Sequence, residues 1–418
     1  MPLATAERAG LLGPEPVPGA AMARALELSP EAVVARVRGS GLRGRGGAGF
    51  PAATKLELTA GRGLPAYLVV NAAEDEPGSG KDLHLIEHQP ERLIEGALIA
   101  ARAVGAAHLV FYASSAAAAH VEAALALADL DLIDSPPPQL ERGNARLTAS
   151  VVVAPPEYVA GEDTAALEVI EGNDAIPRSR PPFPSESGLW GAPTAVFNVE
   201  TLAALPAIIV SGDDREAGAS LLATLGAELR APGVYEVTPS TTVRELVEEI
   251  GGGLATGEPT GAVLPGGPSS GFLFAEQLGT ALERDAMAAA GSALGCAVVR
   301  VYGEDQCMAC ALREQLSFLA DSCCGACPPC RMETSMLVRL LDQIRGGGPA
   351  ALIGKLEEVV GFAAGQGGRC SLISMPALPV SSALRLFPEH FEHHAEFGVC
   401  KERNHEEAQH VGSPSTQA

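Results

Sequence analysis

Three cysteines packed into Cys324-Gly-Ala-Cys327-Pro-Pro-Cys330, with a fourth at Cys370, constrain this 418-residue chain more than any other feature. A C-x2-C-x2-C loop is too short to bury a core of its own. It wraps three corners of a compact centre, and a distant fourth thiolate completes the set that an iron–sulfur cubane takes. Zinc also takes four thiolates, although its structural sites usually present two separated C-x2-C knuckles. A disulfide framework fits less well, because nine cysteines is an odd count and the start, MPLATAERAG, lacks an apolar h-region. No run reaches the roughly 18 apolar residues of a membrane span; the nearest, 96–113, is broken by Arg102 and His108. These features predict a reduced, cytoplasmic, electron-carrying chain without direct membrane insertion.

Composition narrows the partners. The balance of 29 basic against 51 acidic residues gives a net charge of −22, which argues against nucleic acid or an anionic membrane surface as the partner. A hydrophobic content of 47% supports globular domains with real cores. Disordered tails are expected over 1–28 and 401–418.

Along the chain, Ser29-Pro30-Glu31 is a helix start, with a capping hydroxyl followed by proline at the first helical position, and 32–38 continues it. A strand is predicted at 66–71, a helix over 86–104, a strand at 109–112, a helix over 120–128 and a strand at 146–153. That alternation predicts an α/β layer domain over 29–221. Two strand-like runs at 233–237 and 261–265 flank a helix predicted at 242–250, giving a small β-grasp-like module over 222–280. From 281 to 400 the chain is predicted to be a four-helix bundle, with segments near 306–321, 331–345, 350–363 and 377–387. Leu312, Leu316 and Leu319 share one helical face, as do Leu337, Leu340, Leu341 and Ile344. The cysteine loop opens the second of these helices, whose N-terminal dipole suits an anionic cluster, and Arg331 adds positive charge.

Gly44-Arg45-Gly46-Gly47-Ala48-Gly49 satisfies G-x-G-x-x-G, but the dinucleotide fingerprint belongs after a strand, and here it follows a helix. Such a loop is read either as a backbone cradle for a phosphate or as a mobile linker. Asn71, Glu74 and Glu76 end a predicted strand, the usual mouth of an α/β ligand site, though a solvated acidic turn has the same composition. Arg178-Ser-Arg180-Pro-Pro-Phe183-Pro is proline-stiffened and sets cations beside an aromatic ring, an arrangement suited to stacking on a base. Cys307-Met-Ala-Cys310 is an extra C-x2-C and Cys323 abuts the cluster loop; these are read as a second metal or redox pair or, the expected case, as small apolar residues packing in a helix. Cys296 and Cys400 are expected to be structural. His390, His393 and His394 resemble a metal-binding tract, but a solvated helix end is the expected reading.

GLRGRGGAGFP (41–51), NAAEDEPGSGKD (71–82), EYVAGEDTAALEVIEG (157–172), PRSRPPFP (177–184), GAPTAVFNVET (191–201) and the cysteine loop follow in order. Together they resemble the FMN-binding flavoprotein subunit (the F subunit) of NADH:quinone oxidoreductase and its relatives in NAD-linked hydrogenases and formate dehydrogenases, over roughly 30–390. The resemblance implies FMN, NAD(H) and a [4Fe-4S] cluster as cofactors, and names the small module as a soluble-ligand-binding β-grasp (SLBB) domain. It places Gly44–Gly49 against FMN, with Lys55, Asn71, Glu74, Tyr158, Gly161, Glu162, Asp163 and Asn198. Phe50 and Phe183 would stack on NADH, Glu76 would lie near its ribose, and Arg180 stands where the family has lysine. Cys324, Cys327, Cys330 and Cys370 are the implied cluster ligands.

The chain departs from the family pattern where Ala73 replaces a carboxylate, Leu58 replaces a stacking phenylalanine, and Phe197 replaces an asparagine. The expected function is electron input from NADH through FMN and the cluster. The alternative is a non-catalytic or ferredoxin-fed relay. Partners would be other subunits of an electron-transfer complex, a [2Fe-2S] or ferredoxin-type protein among them, which could hold the chain on the inner face of a membrane.

Overall fold

The computed structural model describes residues 10–13, 19–62, 65–128, 130–140, 147–212 and 218–400. Its first sheet has five strands, β1 (Ala66–Ala72), β2 (Ala106–Ala113), β3 (Asp131–Leu132), β4 (Thr148–Val153) and β5 (Thr194–Asn198), in the order β3-β4-β2-β1-β5. Every pairing is parallel. Parallel sheets bury both faces, and β1 shows it in alternation. Leu68, Val70 and Ala72 enter one core, with Leu93, Ala97 and Leu202 from neighbouring helices. Tyr67 and Val69 enter the opposite core, with Ala166, Leu167 and Leu189.

The expected first helix runs Pro30–Ser40, with the Ser29 hydroxyl accepting from the Ala32 N–H at 3.2 Å and Gly41 ending it at φ 71°. Two expectations in this half are corrected. Residues 20–27, expected within a tail, form the helix Ala20–Glu27, which buries Ala21 and Ala25. The single helix expected over 86–104 is two, Lys81–His88 and Pro90–Val104. Proline has no N–H to continue a helix but is suited to starting one, so the chain breaks at Gln89. The tails expected over 1–9 and 401–418 lie outside the described residues.

The second sheet joins β6 (Leu221–Leu225), β7 (Gly233–Val237), β8 (Thr260–Leu264), β9 (Leu273–Phe274) and β10 (Val298–Gly303) in the order β7-β6-β10-β8-β9. β10 runs parallel to β6 and antiparallel to β8. Its central strand therefore comes from within 281–400, the span assigned to the helical bundle, and lies ahead of the first helix expected there near 306. The helix expected at 242–250 is a wide π turn, Glu245–Ile250, closed by the Gly251 N–H on the Leu246 carbonyl at 2.9 Å.

After β10 come Met308–Asp321, Pro328–Arg345, Ala351–Ala364, Ala377–Leu386 and Pro388–Phe397. These are five helices among the described residues, where four were expected. The fifth buries Phe391 and His394. Leu312, Leu316, Leu337, Leu341 and Ile344 share one buried cluster, as their spacing predicts, whereas Leu340 is only partly buried. No helix of the described residues is long and apolar enough to cross a membrane.

Helix Pro90–Val104 meets the short helix Val199–Ala203 at Gly96, where a Cβ would stand 2.0 Å from the Leu202 carbonyl oxygen. That approach requires glycine. Gly96→Ala should destabilise the protein by about 1–3 kcal/mol, the usual range for overpacking, as measured by thermal or denaturant unfolding.

Candidate active site and cluster-binding pocket

β1 and β5 are neighbours, and their register sets Asn71 opposite Asn198 at the carboxyl ends of both strands. Asn71 Nδ2 donates to the Gly161 carbonyl at 2.8 Å. Asn198 Oδ1 caps the helix after β5 by accepting from Glu200 N–H at 3.0 Å, and its Nδ2 donates to Asp82 Oδ2 at 2.5 Å. Beneath them lies a buried ion network. Lys81 Nζ sits 2.6 Å from Asp82 Oδ1, 3.1 Å from Glu200 Oε2 and 3.3 Å from Asn198 Oδ1. Burial alone would lower the Lys81 pKa, yet the Asp82 and Glu200 carboxylates together hold the ammonium well above its ordinary value.

The Gly44–Gly49 loop is held from both sides. Gly44 N–H bonds the Phe50 carbonyl at 2.8 Å, and Arg45 N–H bonds Thr201 Oγ1 at 2.9 Å. The Arg45 guanidinium donates to the carbonyls of Gly218, Ala219 and Ser220. Gly46 lies against Asn198, Gly47 against Cys296, and the Arg284 guanidinium fills the space where a Gly49 Cβ would be. Gly47 and Gly49 have φ of 99° and 65°, a region that favours glycine. Ala48 lies within this turn.

The three carboxylates after β1 face three ways. Glu74, at φ 48°, caps helix Lys81–His88 by accepting from Asp82 N–H at 2.8 Å and Leu83 N–H at 2.7 Å. Asp75 Oδ2 is buried without a hydrogen-bond partner and lies 3.1 Å from where a Gly161 Cβ would stand, a point also 4.0 Å from the Ala73 Cβ. Burial, with Glu74 and Glu157 adding negative charge, pushes its pKa up to about 7. Glu76 Oε2 accepts from the Tyr158 hydroxyl at 2.9 Å, and burial raises its pKa.

Tyr158–Gly161 is a single 3-10 turn leading into helix Asp163–Ile170. Glu162 caps that helix on Thr164 and Ala165 and pairs with Arg180. Asp163 Oδ2 accepts from Lys55 Nζ at 3.1 Å, and the same ammonium lies 5.4 Å from the centre of the buried Phe197 ring. Phe50, Phe183 and Leu58 are exposed.

On its other side this turn borders the cysteines. Val159 joins Ser322, Cys323, Cys324, Cys327, Cys330 and Cys370 around one pocket, with Leu372 and Ile373 also in its wall. All four ligands expected from the sequence thus border one space. Cys323, which the sequence did not single out as a wall, borders it too, with its Sγ 3.7 Å from that of Cys330. Burial raises the Cys330 and Cys370 thiols, so metal binding there would release their protons to solvent. The donor set and enclosure fit an iron–sulfur cluster. The glycine loop, and separately the orphaned buried oxygen of Asp75, likewise suit a polar cofactor.

Lys81, Asp82, Glu200, Asp75, Arg284 and Cys296 are site residues that the sequence reading missed. Lys81 and Asp82 stood inside a quoted motif, and the buried charge of Glu200 inside another. Asp75 stood in the same motif as Lys81 and Asp82, between two glutamates that were singled out, whereas Arg284 and Cys296 carry no local signal.

Two family models match the chain: the Nuo51 FMN-binding domain over residues 37–207, and the NADH-ubiquinone oxidoreductase-F iron–sulfur binding region over 310–394. The F subunit of the NADH-quinone oxidoreductase of Streptomyces coelicolor is 36% identical over 89% of this chain and 84% of its own length. The chain belongs to the family of NADH-quinone oxidoreductase F subunits. A further relative, the NADP-reducing hydrogenase subunit HndC of Solidesulfovibrio fructosivorans, is 32% identical over 91% of this chain and 79% of its own. Among solved structures, an NAD+-reducing [NiFe]-hydrogenase in its H2-reduced state superposes with a TM-score of 0.79 at 28% identity. That match covers 91% of this chain and 65% of the hydrogenase chain.

One carboxylate of this F-type flavoprotein tests the electrostatics of the pocket. Glu333, on the helix that Cys330 enters, is buried with neither oxygen hydrogen-bonded, and burial pushes its pKa up to about 8. A carboxyl raised above its unfolded value costs stability as pH climbs from the unfolded pKa to the folded one. Glu333→Gln should therefore melt progressively higher than the parent as pH rises from 4.5 to 8, by several degrees at the top of that window. A pH-independent difference in melting temperature would place Glu333 in contact with water.

Proposed function

We propose that the chain is the electron-input subunit of a larger complex, oxidising NADH at an FMN site and delivering electrons singly through a [4Fe-4S] cluster to a partner subunit. The observation that carries this reading is the Tyr158–Gly161 turn. It bonds Glu76 at the strand ends on one side and walls the cysteine cavity through Val159 on the other. When bound, FMN supplies the conversion between a two-electron donor and one-electron steps, and the cluster supplies the single-electron exit.

The chain's own residues bind and orient. Gly46, Gly47, Ala48 and Gly49 offer backbone N–H groups, with Gly44 and Arg45 anchoring the loop and Lys55, Asn71, Asn198, Gly161, Glu162 and Asp163 lining the strand ends. Glu74 acts one step removed, by fixing the helix that carries Lys81. Asp75 offers a carboxylate next to Ala73, where the family motif has one and this chain's alanine does not. Phe50 and Phe183 are exposed rings suited to stacking on nicotinamide or adenine, and Arg180 and Glu76 flank the same mouth. Cys324, Cys327, Cys330 and Cys370 hold the cluster.

The same reading takes residues 222–280 with β10 as the β-grasp-like SLBB module and the helices from 308 as the cluster-bearing bundle. The relatives' names describe subunits of NADH-quinone oxidoreductases and of a hydrogenase, which supports a cytoplasmic assembly. In it a [2Fe-2S] or ferredoxin-type subunit would receive the electrons, with any membrane association through partners.

Anaerobic stopped-flow mixing with NADH should bleach the flavin absorbance and support ferricyanide reduction, with little quinone reduction by the isolated chain. Flavin that stays oxidised under NADH yet is reduced by a ferredoxin would overturn the NADH reading. Phe183→Ala should raise KM for NADH roughly three- to tenfold, the loss of one ring stack. Serine at Cys324, Cys327, Cys330 or Cys370 should abolish or convert the cluster, whereas Cys323→Ser should keep its iron. The opposite pattern at 323 and 324 would shift the ligand register by one residue.

A further inference from the structure

Cys307, Cys310, His394 and Cys400 converge outside both sites described above, and none of them lines the cluster cavity. Cys307 caps helix Met308–Asp321 and Cys310 sits in its first turn. His394 comes from helix Pro388–Phe397, and Gly398, at φ 69°, turns the chain so that Cys400 folds back beside it. Cys307, Cys310 and His394 are buried, contrary to a solvated helix end for the histidine.

The four donor atoms lie within 4.8 Å of one another. His394 Nε2 is 3.2 Å from Cys307 Sγ, 3.3 Å from Cys400 Sγ and 4.0 Å from Cys310 Sγ, and the Cys310 and Cys400 sulfurs are 3.6 Å apart. A tetrahedral ion with Zn–S of about 2.3 Å and Zn–N of about 2.0–2.1 Å sets sulfurs about 3.8 Å apart and sulfur about 3.6 Å from nitrogen. The sulfur–nitrogen separations bracket the second value, and the Cys310–Cys400 sulfur separation lies just below the first.

Hydrogen bonds link members of the cluster, Cys310 to Cys400 and both Cys307 and Cys400 to His394, and a bound cation would take their place. His394 Nδ1 faces the Arg345 carbonyl at 3.3 Å, so Nδ1 carries the proton and Nε2 keeps the only lone pair of the ring. Three sulfurs crowd that one lone pair. A cation would be served by all four donors at once, with the Arg345 carbonyl orienting the imidazole as an outer-sphere partner commonly does.

We propose that Cys307, Cys310, His394 and Cys400 bind a structural zinc ion, which staples the first helix of the C-terminal region to the last. Three thiolates and one imidazole form a closed set without carboxylate or open position. This favours zinc over calcium or magnesium, which take oxygen ligands, and a structural role over a catalytic one. Binding displaces three thiol protons and involves no change of oxidation state. The site does not depend on the NADH reading.

Holoprotein purified anaerobically should contain one zinc per chain beside its cluster iron. Zinc-edge X-ray absorption should show three sulfurs at about 2.3 Å and one nitrogen at about 2.0–2.1 Å. Cys400→Ser and His394→Ala should each lose zinc at least tenfold while iron and flavin stay bound, and Cys324→Ser should lose iron while keeping zinc. His394→Cys, which preserves a four-donor set, should retain zinc and guards against a folding artefact in the alanine variant. The proposal is overturned by zinc-free wild-type protein with full cluster iron, by iron in this site, or by a mass 2 Da low from a Cys310–Cys400 disulfide. Zinc content unchanged in both His394→Ala and Cys400→Ser would overturn it as well.

Discussion

The buried Lys81 ammonium is the constraint on which the flavin half of the molecule depends. Its partners come from three places: Asp82 on the same helix, Asn198 at the end of β5, and Glu200 on the helix after it. Glu200 also accepts the Leu222 N–H at 2.9 Å, which ties the first sheet to the start of the second. Removing one member of such a buried set leaves a charge unpaired, at a cost of about 3–5 kcal/mol. The network positions the floor under Asn71 and Asn198 and the seam against which Cys296 and Arg284 pack.

What could be read from the residues was whatever is local. The cysteine loop carries its meaning in its spacing, and the strands 66–71 and 109–112 carry theirs in unbroken apolar runs. The break at Gln89 was equally local, since Pro90 starts a helix and cannot continue one, but the apolar periodicity of 86–104 was given more weight. Tertiary contacts decided the rest. Pro388–Phe397 is rich in histidine and glutamate, and its helical state depends on Phe391 and His394 finding a core supplied by other helices. β10 lies 73 positions after the end of β6 (298 − 225), and nothing in its own sequence names that partner.

The acidic turn shows how composition underdetermines chemistry. Glu74, Asp75 and Glu76 look alike in sequence, yet one caps a helix, one is left with an orphaned oxygen, and one accepts from a tyrosine. Their roles diverge because Glu74 takes a left-handed backbone, so successive side chains leave the turn in different directions. Two residues after Ala73, the Asp75 carboxylate and the Ala73 methyl both border the space beside Gly161.

The Tyr158–Gly161 turn is a party wall. Tyr158 packs edge-on against Phe318 on the cluster side while its hydroxyl reaches Glu76 on the other, and Val159 faces the cysteines directly. Four residues thus border the cysteine pocket and the carboxyl ends of the strands simultaneously. A substitution there touches both places at once, so the driving force between donor and exit is inherited as a matched pair.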